Sequence, residues 1–112
     1  MRLAVLAFLL PLSVVGAEPE LEIRVVYDNT SADGAVPEDW GFAAVVTLRG
    51  RRVLFDSGTK PELFLANLAR MGVEPASIER AMISHEHPDH RNGIQAFYRL
   101  RPELPVFFLD SF

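Results

Sequence analysis

The chain has 112 residues, of which 49% are hydrophobic and 23% charged, a composition that excludes disorder for most of its length and fits one small domain or a part of a larger one. A net charge of -4 leaves no basic surface able to follow a phosphate backbone, so nucleic acid is not expected as a partner. With no cysteine, a disulfide framework, a thiolate zinc site, a cysteine nucleophile and a lipid on an N-terminal cysteine are all excluded, and any metal must be held by His, Asp or Glu.

Met1 and Arg2 precede an almost wholly apolar run, residues 3–15, and Val15-Gly16-Ala17 supplies small residues ahead of Glu18-Pro19-Glu20. This pattern reads as a secretory signal peptide, residues 1–17, cleaved after Ala17. The run is shorter than the roughly 20 residues of a spanning helix and is interrupted by Pro11, so no stable membrane span is expected after cleavage. Residues 18–112 are then expected in the periplasm or outside the cell, where Asn29-Thr30-Ser31 would be a glycosylation acceptor in a eukaryotic host.

Residues 21–28 carry Ile23, Val25 and Val26 and stop at turn formers from Asp28 to Ser31, which predicts a strand and a loop. The loop runs through Asp33-Gly34 and Pro37 to Trp40. Residues 41–48 and 52–55 are apolar runs joined by Arg49-Gly50-Arg51, a hairpin with a solvated basic tip; phosphate binding there is the minor alternative.

After Asp56-Ser57-Gly58, Thr59 is placed to cap a helix with Pro61 in its first turn and Leu63, Phe64, Leu65, Leu68 and Met71 at helical spacing, closed by Gly72. A turn with Pro75 leads to a strand over residues 80–84, in which Ala81, Met82 and Ile83 are expected buried, and residues 85–90 form a loop at its carboxyl end. Ile94, Phe97, Tyr98 and Leu100 predict a second amphipathic helix, Pro102 ends it, and residues 105–109 read as one more strand. A strand meander followed by alternating helices and strands predicts an α/β (α+β) arrangement, a mixed sheet with helices on one face.

All three histidines of the chain, His85, His87 and His90, fall in His85-Glu86-His87-Pro88-Asp89-His90. His85 and His87 are two apart, so on an extended segment they project to the same side and can close on one ion, while Asp89 and His90 come next in line for a neighbouring one. Imidazole and carboxylate suit zinc, with manganese or iron compatible with the same ligands. A purely structural zinc site is the bland alternative, but such sites are closed and mostly cysteine-rich.

Ser84-His85-Glu86-His87-Pro88-Asp89-His90 resembles the H-x-H-x-D-H signature of the metallo-β-lactamase superfamily, and Phe55-Asp56-Ser57-Gly58 resembles the aspartate turn that precedes it. Tyr27-Asp28-Asn29 with Trp40-Gly41-Phe42-Ala43-Ala44 is similar, more narrowly, to the branch of dihydropterin ribofuranosyl-aminobenzene phosphate synthase-like proteins. The resemblance implies that His85 and His87 ligate a first zinc, that Asp89 and His90 ligate a second, and that Asp56 steadies these ligands by hydrogen bonding. It also implies a metal-activated water acting on an ester, lactone, amide or phosphoester of a small-molecule substrate, with Asp89 as the catalytic group that orients the water or takes its proton.

Complete relatives add a further His, a bridging Asp and a last His, and no histidine follows His90. The sequence is therefore expected to be the N-terminal half of an αβ/βα sandwich, inactive by itself, with an open sheet through which it could self-associate. The alternative function is a non-catalytic relative that binds metal weakly or pairs with another chain. Arg91-Asn92-Gly93-Ile94 stands where many relatives carry a Thr-Gly-Gly-Leu run, keeping one glycine and adding a cation that reads as a solvated residue. Glu86 is expected to face solvent, and Asn29 and Trp40 are candidates for the pocket wall or, more plainly, for a turn and a core edge.

Overall fold

The computed structural model describes residues 16, 19–31 and 34–110. The expected signal peptide therefore lies outside the described residues, Gly16 excepted. Among the described residues no helix is long and apolar enough to cross a membrane.

Five strands form one mixed sheet in the order β1 (Leu21–Tyr27), β2 (Ala43–Leu48), β3 (Arg51–Phe55), β4 (Ile78–Met82) and β5 (Val106–Phe107). The first three are an antiparallel meander, whereas β3, β4 and β5 run parallel, each pair joined through helices. The connection to β4 carries α1 (Pro61–Arg70), and the one to β5 carries α2 (Pro88–Arg91) and α3 (Ile94–Leu100). Antiparallel neighbours need only a tight turn; parallel ones need a crossover, and the helices supply it.

The β2–β3 turn is the two-residue pair Arg49-Gly50, both with positive φ (48° and 78°), the hand that matches strand twist. Arg51 is thus the first residue of β3 rather than a turn residue. The three arginines are paired rather than simply solvated: Arg49 with Glu20 at 2.6 Å, Arg51 with Glu79 at 2.8 Å, and Arg52 with the Ser77 hydroxyl at 2.9 Å.

Helices cover one face. Val45, Leu54 and Ala81 are cross-strand neighbours on it, and they pack with Phe64 and Leu68 of α1 and Ile94 and Phe97 of α3 in a single core. The Phe64 and Phe97 rings meet at 5.5 Å between centroids, tilted by 37°, a favourable aromatic geometry.

Among the described residues, nothing covers the other face. β1 alternates, but its apolar residues Leu21, Ile23 and Val25 point away from the helices and are exposed, while Arg24 turns inward and donates to the carbonyl of Met71 at the end of α1, 2.9 Å away. A register shift between Val25 and Tyr27 then carries both Val26 and Tyr27 into the core. Across the sheet, Val25, Ala44, Phe55, Met82 and Phe107 stand in register as one apolar row.

Several sequence expectations are corrected. Thr59 does not cap α1: its hydroxyl donates to the Trp40 carbonyl, and Lys60 occupies the cap position with no side-chain bond. β4 begins at Ile78 and ends at Met82, which is 49% exposed because it faces the open side. The presumed loop over residues 85–90 contains the single-turn α2, started by Pro88. In α3 the buried positions are Ile94, Ala96 and Phe97, and Tyr98 and Leu100 are exposed. Only Val106 and Phe107 pair within the expected last strand.

Candidate metal centre

The site lies where β3 and β4, two adjacent parallel strands, end. Crevices beyond the carboxyl ends of parallel strands are the usual seats of ligands in such sheets. Asp56, the residue after β3, has a φ of 57°, a left-handed conformation that Asp tolerates better than most side chains. Its N–H donates to the Met82 carbonyl at 2.9 Å, and the bend turns its carboxylate across the end of β4.

That carboxylate is 1% exposed and satisfied by three donors. Oδ1 accepts the Ser84 N–H at 2.7 Å; Oδ2 accepts the Ser84 hydroxyl at 2.7 Å and the His90 Nδ1–H at 2.8 Å. A buried carboxylate costs free energy unless its lone pairs are used in this way. Ser84 also contacts His85 Nδ1 at 2.7 Å.

The motif segment is fastened from two sides. The Asp89 carbonyl accepts the Phe42 N–H at 3.1 Å, and the next carbonyl, that of His90, accepts the Ser57 N–H at 2.7 Å. Gly93 is needed for close approach rather than for a turn: its φ is helical at -61°, but a Cβ there would lie 1.8 Å from the Ser57 carbonyl oxygen. Gly41 does the same on the opposite side, where a Cβ would come within 2.4 Å of the Asp89 carbonyl oxygen.

These fastenings place the three imidazoles ring to ring, with His85 4.7 Å from His87 and 4.2 Å from His90 between centroids. Asp56, His85 and His90 each bring one donor atom within 4.8 Å of the others, a group able to hold a metal ion. His87 is exposed at the start of α2, and Asp89 is half-buried with Oδ2 3.5 Å from His90 Nε2. In the neutral ring, with Nδ1–H given to Asp56, Nε2 carries the lone pair and faces the Asp89 carboxylate, so in that form two acceptors meet. Two lone pairs converging on one space suit a cation between them, and nitrogen with oxygen suits a zinc-type ion.

Asn29 braces the loop, its Oδ1 accepting the Gly41 N–H at 2.8 Å, and Trp40 is 68% exposed rather than at a core edge. Glu86 is exposed, as expected, and its carbonyl accepts from Arg91 Nε at 2.5 Å. Ser84 and Tyr27 were not assigned roles from the sequence. Tyr27, 1% exposed, donates to Asp39 Oδ2 and accepts the Lys60 N–H at 3.2 Å, while Lys60 Nζ reaches Asp39 Oδ1 at 2.6 Å. This cluster ties Tyr27 at the end of β1 and Asp39 before β2 to the start of α1. Burial, then the bond to Asp39, pushes the Tyr27 phenol up to about 12, and the Lys60 and Tyr27 hydrogen bonds hold the Asp39 carboxyl below its ordinary value.

Comparison with known proteins points the same way. A family model described as Metallo-beta-lactamase superfamily matches residues 37–105. The 7,8-dihydropterin-6-methyl-4-(beta-D-ribofuranosyl)-aminobenzene-5'-phosphate synthase of Methanocaldococcus jannaschii is 34% identical over 58 residues, 51% of this chain but 20% of that protein. The metallo-beta-lactamase MIM-1 of Novosphingobium pentaromativorans superposes with a TM-score of 0.53 at 29% identity, over 75% of this chain and 30% of that one. Human tRNase Z, short form, superposes with a TM-score of 0.55 at 19% identity, over 77% of this chain and 33% of that one, a likeness of fold alone. The chain thus spans about a fifth to a third of the length of each of these relatives.

Proposed function

The chain belongs to the metallo-beta-lactamase superfamily, and from that premise we propose that it is the first metal-holding portion of an exported, metal-dependent hydrolase. The observation that carries this is the convergence of His90 Nε2 and Asp89 Oδ2 at 3.5 Å, with the His85 ring tilted against His90 and edge-on to His87. In this reading His85 and His87 hold one ion, Asp89 and His90 contribute to a second, and zinc is the expected metal. When bound, such ions lower the pKa of water and stabilise negative charge that develops on a substrate oxygen.

The chain's own groups have distinct tasks. Asp56 has its oxygens occupied by Ser84 and His90 and acts by holding those groups in place. Asp89, at the rim with Oδ2 3.5 Å from His90 Nε2, is in this reading the carboxylate that orients an attacking water or accepts its proton. The substrate class that fits is a small ester, lactone, amide or phosphoester. Export, to the periplasm or outside the cell, rests on the leader-like residues 1–17.

A second reading, a metal-binding relative without activity that pairs with another apolar layer, is favoured by the outer sheet face, where Leu21, Ile23, Leu48 and Phe107 are exposed. Hydrolysis separates the two. The protein as its source produces it, supplied with zinc, is expected to cleave p-nitrophenyl esters or phosphoesters and to lose that activity in His85→Ala and Asp89→Ala variants. Zinc binding without hydrolysis, together with self-association in sedimentation, would favour the second reading.

A further inference from the structure

We infer that Ser84 is a positioning residue that fixes which nitrogen of His85 is free to bind metal; the inference rests on the metal-holding role proposed above. A serine hydroxyl has one proton to give. Ser84 Oγ lies 2.7 Å from Asp56 Oδ2 and 2.7 Å from His85 Nδ1, and can donate to only one of them.

The carboxylate decides the direction. An ionised carboxylate only accepts, so its contact with Ser84 Oγ requires the serine proton. Towards His85 the oxygen is then left with lone pairs, and His85 Nδ1 must be the donor. The order of donation is His85 Nδ1–H to Ser84 Oγ–H to Asp56 Oδ2, which in the neutral ring puts the lone pair on Nε2 of His85. His90 receives the same instruction directly, since its Nδ1–H donates to the same oxygen at 2.8 Å.

One buried carboxylate thus sets the tautomer of two ligand candidates whose rings are 4.2 Å apart, one by contact and the other through a hydroxyl. Zinc takes an imidazole nitrogen only through its lone pair, so both rings present the face a metal needs before it arrives. Without the hydroxyl, His85 would be free to carry its proton on Nε2, the commoner arrangement for an unconstrained imidazole in water, and each binding event would have to reverse it. The Ser84 N–H bond to Asp56 Oδ1 does not involve the side chain, so the segment keeps a backbone tether when the hydroxyl is removed.

The test uses the full chain, metal-free, with nitrogen-15 in the imidazoles, and long-range proton–nitrogen NMR at mildly alkaline pH. Wild-type His85 is expected in the Nδ1–H form, Ser84→Ala is expected to move it towards the Nε2–H form, and Ser84→Thr to restore it. Zinc affinity, measured against a chromophoric chelator, is expected to fall roughly 10–100-fold in Ser84→Ala and to recover in Ser84→Thr. A wild-type His85 protonated on Nε2, or a Ser84→Ala variant with unchanged tautomer and affinity, would overturn the inference, and the wild-type spectrum alone decides it if Ser84→Ala does not fold. A tautomer that follows Ser84 in a chain that binds no zinc would uphold the relay and remove the metal reading instead.

Discussion

Asp56 and His90, far apart in sequence, meet through one hydrogen bond of 2.8 Å in which the ring Nδ1–H donates to a carboxylate oxygen that is 1% exposed. The bond joins the left-handed turn after β3 to the single-turn helix α2, and it leaves Nε2 of the ring facing Asp89.

Replacing Asp56 by Asn keeps the size and the tolerance for positive φ but puts an amide where Oδ2 accepts two donors. Either His90 or Ser84 loses its acceptor. Zinc affinity is expected to fall about 10–100-fold, and unfolding free energy by about 1–3 kcal/mol for the buried polar atoms left unmatched. Chelator competition and urea denaturation check the two parts separately; a variant equal to wild type in both would remove the carboxylate from its central position.

Gly93→Ala tests the close approach of α3 to the turn after β3. With the Cβ placed 1.8 Å from the Ser57 carbonyl oxygen, backbone has to move, and that carbonyl belongs to the residue whose N–H holds His90. A loss of about 3 kcal/mol is expected from overpacking of this kind, read as a lower urea midpoint. An unchanged midpoint would contradict the approach.

How far the sequence disclosed this arrangement depended on whether a signal was local. The β2–β3 hairpin was legible because Arg49-Gly50 interrupts two apolar runs, and α1 because its apolar spacing is regular up to Gly72. The histidines were legible as a group because they share six consecutive residues. What depended on distant partners was not: Thr59 has the right chemistry for a cap, but the Trp40 carbonyl takes its proton. The alternation in β1 announced a strand without saying that its apolar side faces away from the helices. Ser84 stood beside the motif in plain sight, yet its role exists only because Asp56 is brought across the end of β4.

Stability at high pH should follow Tyr27. Its phenol titrates near 10 in an unfolded chain and at about 12 in the folded one, so the contribution is complete below pH 10 and is lost between about 10 and 12. It is on the order of 3 kcal/mol at most. Asp39 acts at the other end: its folded carboxyl is held low, so its contribution is present above about pH 4 and disappears as pH falls through the lower folded value. Urea midpoints across pH should show both arms in wild type; Tyr27→Phe should flatten the alkaline one, and its persistence would show that another group is responsible.

The most direct measurement is an equilibrium zinc titration of the full chain followed through the imidazole NMR signals of its three histidines. The account predicts that His85, His87 and His90 all respond in proportion to added zinc until saturation, with the metal on Nε2 of His85 and His90. Signals that stay unchanged at saturating zinc, or a response confined to the exposed His87, would contradict it.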